Sequence, residues 1–266
     1  MSGLHFEVAG EGPTALLVHG FTGSGGAWGR ELIEGLTRDL RVVRVDLPGH
    51  GASPKWTSPE RYGLEEVVAE LVRVLDRVGV RRPLWIGYSL GGRICLGAAA
   101  LCPERVGALV LEGASPGLAD PGERSARVRE DETLACMLEG EGIEAFVDHW
   151  MNLPLFASQE SLGPERLAGE RERRLRNSPT ALAACLRGLG TGAQPSFWKV
   201  LSEVRVPALL LAGEGDAKYC DIAERMANAM PCAERRVIPG CGHATHLESP
   251  KAWLADVRSF ATRLGM

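Results

Sequence analysis

Three residues of this sequence, Ser89, Asp216 and His243, have the types and the chain order of a serine–acid–histidine triad. A serine hydroxyl alone is a poor nucleophile or base, so in a triad a neighbouring imidazole takes its proton. A buried carboxylate orients that imidazole and stabilises its cation. These residue types therefore predict an enzyme that uses an activated serine.

Ser89 is the centre of a Gly-x-Ser-x-Gly pattern formed by residues 87–91. The apolar run 84–86 predicts a buried strand, and residues 92–101, which are rich in Ala, Leu and Ile, predict a helix. Strand, sharp turn and helix are the context of a nucleophile elbow, in which flanking glycines let the backbone turn tightly. The pattern indicates a serine hydroxyl exposed at the tip of that turn.

The acid and the histidine also follow predicted strands. Asp216 comes after the apolar run 208–213, and His243 comes after the strand predicted at 235–239. Catalytic groups of open α/β sheets gather at the carboxyl ends of the strands, so we expect these side chains to meet the serine there. Three other carboxylates compete for the role of the acid: Glu112, Glu214 and Asp221.

A candidate oxyanion hole follows the strand predicted at 15–18. The sequence His19-Gly20-Phe21 resembles loops that donate a backbone N–H to an oxyanion. We expect one N–H to come from Phe21 and the second from Leu90, the residue after the serine. The glycines at 23–26 do not predict a phosphate-binding loop, because no Gly-Lys-Ser/Thr follows them.

Strand and helix patterns alternate along the chain, which predicts a mostly parallel sheet covered by helices on both faces. The alternation stops between 115 and 198, where the pattern is helical, and resumes at 207. We therefore expect one α/β core, 1–114 with 199–266. A helical cap, 115–198, would be inserted above the serine and would not fold alone.

The composition excludes several classes of protein. The net charge of −4 lacks the basic footprint of a nucleic-acid-binding protein, and no apolar run is long enough to span a membrane. The N-terminus has no signal-peptide pattern, and the seven cysteines are dispersed without a Cys-x-x-Cys pair, which predicts reduced thiols in a cytoplasmic protein. Residues 241–246 lack the paired spacing of a zinc site, so we expect no metal.

Arg93 falls in the first turn of the helix predicted after Ser89. A cation there opposes the helix dipole, so we do not expect it to stabilise the helix. Either its side chain turns to solvent, or it faces the site and binds an anion. Its planar fork suits a ligand carboxylate, whose two oxygens it can bind together. The cap holds further arginines, most of which we interpret as a solvated helical face: Arg124, Arg127, Arg129, Arg166, Arg171, Arg173, Arg174, Arg176 and Arg187.

The whole chain resembles proteins of the α/β-hydrolase fold. Within that fold it resembles the 2-succinyl-6-hydroxy-2,4-cyclohexadiene-1-carboxylate synthases of menaquinone biosynthesis. The hydrolase elements alone indicate only the superfamily, whereas the elbow arginine and the cap segments indicate this family. The resembling segments are 19–24 with Trp28, 87–93, 146–150, 154–157, 176–177 and 186–195.

This resemblance implies a lyase that needs no metal or organic cofactor. The family substrate is a cyclohexene that carries a succinyl group, a ring carboxylate and an enolpyruvyl ether, and the enzyme removes a proton and expels pyruvate. Ser89 would then act as a base or proton relay, and the oxyanion hole would stabilise an enolate. The resemblance implies carboxylate-binding arginines at Arg93, Arg127 and Arg176 and further pocket residues at Tyr88 and Trp150.

Three other functions remain open, because one fold hosts many reactions. A carboxylesterase or lactonase would use the same triad through an acyl-enzyme. A carbon–carbon bond hydrolase acting on a diketone acid could also use Arg93. A non-enzymatic binding protein of this fold would normally have lost a triad member, and all three are present here.

Overall fold

Residues 3–266, which a computed structural model describes, contain a seven-stranded sheet. The strands are β1 (Phe6–Ala9), β2 (Thr14–Val18), β3 (Arg41–Val45), β4 (Leu84–Tyr88), β5 (Ala108–Glu112), β6 (Ala208–Gly213) and β7 (Ala233–Ile238). Their spatial order is β1-β3-β2-β4-β5-β6-β7. The edge strand β1 is antiparallel to β3, and all other neighbours are parallel.

Helices cover both faces of this sheet. The α-helices are α1 (Gly29–Leu36), α2 (Leu64–Arg77), α3 (Leu90–Leu101), α4 (Pro121–Gly140), α5 (Gly142–Met151), α6 (Pro164–Leu175), α7 (Pro179–Leu189), α8 (Ala217–Ala229), α9 (Thr245–Glu248) and α10 (Pro250–Arg263). One face packs against α2, α3 and α8, and the other against α1 and α10. Strands β2, β5 and β6 are therefore buried along their whole length. The predicted fold class is confirmed.

The cap lies between β5 and β6. It contains α4 to α7 and a 3-10 helix at Pro154–Leu162, and no strand occurs between residues 115 and 198. Helix α4 packs against α5 and α7 around a small apolar core that includes Phe146 and Leu182. The predicted bounds of the core and the cap stay a prediction, and residues 1 and 2 of that core lie outside the described residues.

Candidate active site

The turn at Ser89 has a backbone conformation that side chains rarely adopt. Ser89 joins β4 to α3 with φ 50° and ψ −110°, and its N–H donates to the Glu112 carbonyl at 2.8 Å. A Cβ on Gly87 would lie 2.5 Å from the Gly91 carbonyl oxygen, and one on Gly91 would lie 2.0 Å from that of Val18. Only glycine fits at these two positions, so the sequence pattern permits the tight turn that exposes the hydroxyl.

Ser89, His243 and Asp216 form a continuous hydrogen-bonded chain. Ser89 Oγ lies 3.2 Å from His243 Nε2, and His243 Nδ1 lies 2.7 Å from Asp216 Oδ2. Because an ionised carboxylate only accepts, Nδ1 carries the hydrogen and Nε2 is left to accept the proton of the serine. The arrangement can take a proton from Ser89 or, through Ser89, from a substrate.

The competing carboxylates do not contact His243. Glu112 is fully buried against His246, whose Nδ1 lies 2.9 Å from Glu112 Oε1. Burial would raise the pKa of Glu112, but His246 and the hydrogen bonds that Glu112 receives hold this pKa below its ordinary value. The other two carboxylates are exposed: Glu214 and Asp221. Asp216 is therefore the carboxylate that orients His243.

The loop that carries His243 is held by two residues that the sequence analysis missed. The Glu248 carboxylate accepts hydrogen bonds from Gly242 N at 2.6 Å and from Ala244 N at 3.2 Å, on either side of the histidine. The ring of Tyr219, in the first turn of α8, packs against the imidazole with its centroid 4.6 Å away. Both contacts keep the imidazole facing the serine.

The loop after β2 lies against the elbow. A Cβ on Gly20 would lie 3.5 Å from the Ser89 Cβ. The N–H groups of Phe21 and Leu90 donate to no other group among residues 3–266. Leu90 also begins α3, so its N–H lies at the positive end of the helix dipole. Both groups are therefore free to bind a developing oxyanion.

Two buried histidines support this loop. His19 Nδ1 donates to the Gly20 carbonyl at 2.7 Å, which fixes the tautomer. His50 Nε2 accepts from Thr22 N at 3.2 Å and so holds Thr22 at its φ of 65°. Burial lowers the pKa of His19 to about 4 and that of His50 to about 3. Both imidazoles are therefore neutral parts of the scaffold at pH 7.

We expect the free energy of unfolding to decrease as the pH falls from about 6.5, the ordinary histidine pKa, towards 4. His19 takes up a proton only at about pH 4 in the folded state. The unfolded chain therefore binds more protons in this interval, and stability is lost as the pH falls through it. At about 1.4 kcal/mol per pH unit, His19 alone accounts for about 3 kcal/mol of this loss.

Denaturant unfolding at pH 7 and at pH 4.5 measures this effect. The exposed His5 provides the control, since His5→Gln should leave the pH dependence unchanged. His50→Gln should reduce the pH dependence, because it removes a second buried group that must stay neutral. Equal pH dependence in wild type and His50→Gln would contradict this assignment.

Arg93 is a buried cation without a carboxylate partner among residues 3–266. It lies one turn after Ser89 in α3 and is 8% exposed. Its Nη1 donates to two neutral acceptors, the Leu189 carbonyl at 3.2 Å and Gln194 Oε1 at 2.5 Å. Burial lowers the pKa of Arg93 to about 10, so the group stays charged at pH 7. Because burying an unpaired charge is costly, this site favours an anionic ligand.

Arg127 lies on α4, on the same side of the site. Its Nε donates to Asp131 Oδ1 at 2.8 Å, and its side chain is 32% exposed. Burial lowers the pKa of Arg93 most strongly and Tyr219 raises it. The nearby positive charge of Arg127 lowers it further. The structure therefore brings the two guanidinium groups near each other, although Arg127 already has a carboxylate partner.

The predicted aromatic residues flank the triad. The ring of Tyr88 lies between His243 and His246, with centroid distances of 5.4 and 4.6 Å. Burial raises the pKa of Tyr88 well above its ordinary value, so its hydroxyl stays protonated at neutral pH. Trp150 packs edge-on against Phe21 at 5.3 Å. The two rings give the site an apolar wall on the core side and on the cap side.

Arg176 lies outside the site, contrary to the prediction. Its side chain is 72% exposed and pairs with Glu172 at 2.8 Å. Arg174, two residues earlier, is 11% exposed; its Nε donates to Thr22 Oγ1 at 3.2 Å, and its Nη1 pairs with Glu170 at 3.0 Å. Arg174 lies in the last turn of α6 and Arg176 directly follows the helix with helical backbone angles, and a step of two such residues turns by about 200°, so the two side chains point to opposite sides. Arg174 is the arginine of this segment that reaches the site.

The described residues were also compared with the requirements of a membrane span, a metal site and a disulfide. Among residues 3–266, no helix is both long enough and apolar enough to cross a membrane. The same residues contain no group of three or more His, Cys, Asp or Glu side chains arranged to hold a metal ion. All seven cysteines have free thiols.

Comparison with known proteins gives a consistent result. Residues 13–250 match the family model of the alpha/beta hydrolase fold. A Bacillus subtilis (strain 168) protein, provisionally named 2-succinyl-6-hydroxy-2,4-cyclohexadiene-1-carboxylate synthase, is 38% identical over 98% of this chain and 96% of its own. A Pectobacterium atrosepticum protein with the same synthase name is 32% identical over 96% of each chain. A solved structure of MenH from S. aureus superposes with a TM-score of 0.92 at 33% identity, over 98% of this chain and 99% of its own.

Proposed function

Because the chain belongs to the alpha/beta hydrolase fold family, and within it to the 2-succinyl-6-hydroxy-2,4-cyclohexadiene-1-carboxylate synthases, we propose that it is a lyase of menaquinone biosynthesis. Its substrate would be the enolpyruvyl-succinyl-cyclohexene carboxylate, and its products pyruvate and the cyclohexadiene carboxylate. The buried, unpaired charge of Arg93 is the observation that supports this most directly. A hydrolase of neutral esters has no evident use for such a charge beside its serine.

The triad geometry supports proton abstraction. His243, oriented by Asp216, takes the proton of the Ser89 hydroxyl while Ser89 takes the proton next to the succinyl carbonyl. The C–H electron pair forms an enolate, whose oxygen is bound by the N–H groups of Phe21 and Leu90. When the enolate re-forms its carbonyl, the electron pair shifts through the ring double bond. This shift forms the diene and breaks the C–O bond to the enolpyruvyl group. The proton on His243 neutralises the leaving group, which is released as pyruvate.

The arginines account for the charge of such a substrate. Arg93 and Arg127 lie on the side of the site where Tyr219 packs, and each is a near charge for that hydroxyl. Arg174 approaches from α6 beside Thr22. Two groups of cations around one serine suit a small polycarboxylate better than a monoanion. The dispersed free thiols support a cytoplasmic location, and the net charge of −4 supports no nucleic-acid partner.

The reaction type is tested with two substrates, the enolpyruvyl substrate and a simple neutral aryl ester. We expect stoichiometric release of pyruvate from the first, with no oxygen from labelled water in the products and no covalent enzyme intermediate by mass spectrometry. Its kcat/KM should exceed that of the aryl ester by at least about 100-fold, because only the first substrate pairs with the arginines.

The rival function is a serine hydrolase that acts on an anionic substrate, as a carboxylesterase, a lactonase or a carbon–carbon bond hydrolase. It would use the same triad through an acyl-enzyme or a water-dependent cleavage. An acyl-serine trapped during turnover of the enolpyruvyl substrate would favour it, and comparable kcat/KM values for the two substrates would exclude the synthase function.

A further inference from the structure

Gln194 is a buried cap residue whose side chain has one hydrogen-bond partner. It follows α7 in a turn where its N–H donates to the Gly190 carbonyl at 3.0 Å, and it is 1% exposed. Its Oε1 accepts from Arg93 Nη1, whereas its Nε2 is sealed from solvent and has no partner among residues 3–266. An apolar side chain would avoid this unsatisfied amide. The bond to Arg93 is therefore the interaction that accounts for a glutamine here.

The two bonds at Nη1 determine which edge of Arg93 is free. Nη1 carries two N–H groups, and the Leu189 carbonyl and Gln194 Oε1 accept from that nitrogen. The N–H groups on Nε and Nη2 donate to no group among residues 3–266, and neither nitrogen is sealed from solvent. Nε and Nη2 share one edge of the guanidinium, and such an edge binds both oxygens of a carboxylate.

Both anchors of Arg93 are neutral, whereas several arginines of the cap are held by carboxylates. Arg187 pairs with Glu132 and Glu139, and Arg174 pairs with Glu170. A carboxylate anchor cancels most of the charge that a guanidinium can offer a ligand, whereas an amide oxygen and a backbone carbonyl leave it intact. The charge and the free edge of Arg93 are therefore both preserved by its partners.

We infer that Gln194 is a positioning residue for substrate recognition. Its amide oxygen and the Leu189 carbonyl hold Nη1, so that the Nε–Nη2 edge of Arg93 receives one substrate carboxylate in a two-bond pair. Glutamine rather than glutamate at 194 keeps the guanidinium charge available for that carboxylate. The identity of the substrate rests on the proposed function, but the geometry applies to any carboxylate that enters the site.

The test uses two replacements of similar length. Gln194→Met removes the acceptor and should raise KM about 10-fold with little change in kcat, because Arg93 binds substrate and transition state alike. Gln194→Glu keeps the shape but neutralises Arg93 and should raise KM about 100-fold, while Tm stays equal or rises. In an Arg93→Ala background, Gln194→Met should change KM by less than about 2-fold, because the pair is already broken.

A matched control is available in the cap. Gln159 is also buried, its Nε2 is also without a partner, and it bonds to no arginine. Gln159→Met should leave KM within about 2-fold of wild type. The inference is wrong if Gln194→Glu binds substrate as wild type does. It is also wrong if the Gln194→Met effect persists in the Arg93→Ala background, as a purely structural role would predict.

A second readout separates this inference from the proposed function. The dissociation constant of 2-succinylbenzoate, a stable aromatic dicarboxylate with a succinyl group, is measured by calorimetry for the same variants. Suppose that wild type releases no pyruvate but binds the probe, and that this binding weakens in Gln194→Glu. The proposed function would then be overturned, and the role of Gln194 would be supported. If wild type does not bind the probe, or binds it equally well in Gln194→Glu, the inference is overturned.

Discussion

Ser89→Ala and His243→Ala should each lower kcat/KM by about 1,000-fold or more, because each removes the positioned group that moves the substrate proton. The hydrogen bonds from Asp216 through His243 to Ser89 make the three residues one unit. The double replacement should therefore cost little more than either single one. Steady-state kinetics on the enolpyruvyl substrate, with circular dichroism to verify folding, measures these effects.

Paired variants of two buried carboxylates test the identity of the acid. Asp216→Asn should lower kcat/KM strongly, because an amide allows the wrong tautomer of His243. Glu112→Gln should act mainly on stability, because its carboxylate lies against His246 rather than His243. If Asp216→Asn were fully active and Glu112→Gln were folded but inactive, the assignment of Asp216 as the acid would be wrong.

Arg93→Ala should lower kcat/KM by roughly 30- to 4,000-fold. Leaving a substrate carboxylate unpaired in the site costs about 2–5 kcal/mol, at about 1.4 kcal/mol per tenfold change. The free energy of unfolding should change by about 1 kcal/mol or less, because two lost hydrogen bonds are offset by removal of a buried charge. Arg93→Lys should recover only part of the activity, because an ammonium cannot form the paired bonds.

The cap supplies matched controls for this prediction. Arg171 and Arg176 are both exposed on the side chain and paired with a carboxylate, so Arg171→Ala and Arg176→Ala should be nearly silent. Arg174→Ala should weaken substrate binding, because Arg174 contacts the loop beside Phe21. Equal small effects at all of these positions and at Arg93 would leave the anionic substrate without support from the arginines.

The sequence predicted the positions of the triad because each member has a local signature. Ser89 lies between glycines whose positions allow only hydrogen as a side chain. Asp216 follows the buried strand β6, and His243 follows the edge strand β7. In a parallel sheet the carboxyl ends of strands share one edge, so placement in the chain predicts placement in space. The helical sequence pattern of residues 115–198 likewise predicted a helical cap, and the structure confirms those helices.

The orientation of the cap arginines was not predictable in this way. Helix α6 carries charged residues around most of its surface, and of its twelve residues only Glu170 is buried. Without an apolar stripe, the sequence does not indicate which face is turned inward, and an error of two residues exchanges the inner side for the outer. Gln194 also lacked a signal, because its role depends on a partner 101 residues away in the chain.

The place of the cap in the chain has a consequence for how such enzymes diversify. The cap is a loop between β5 and β6 in terms of chain connectivity, and the entropy lost on closing a loop grows only with the logarithm of its length. Doubling the insertion costs only about 0.6 kcal/mol, less than one typical hydrogen bond. Evolution can therefore lengthen or exchange the cap, and with it Arg127 and Arg174, at little thermodynamic cost to the core that carries Ser89, Asp216 and His243. Arg93 lies on α3 and stays with that core.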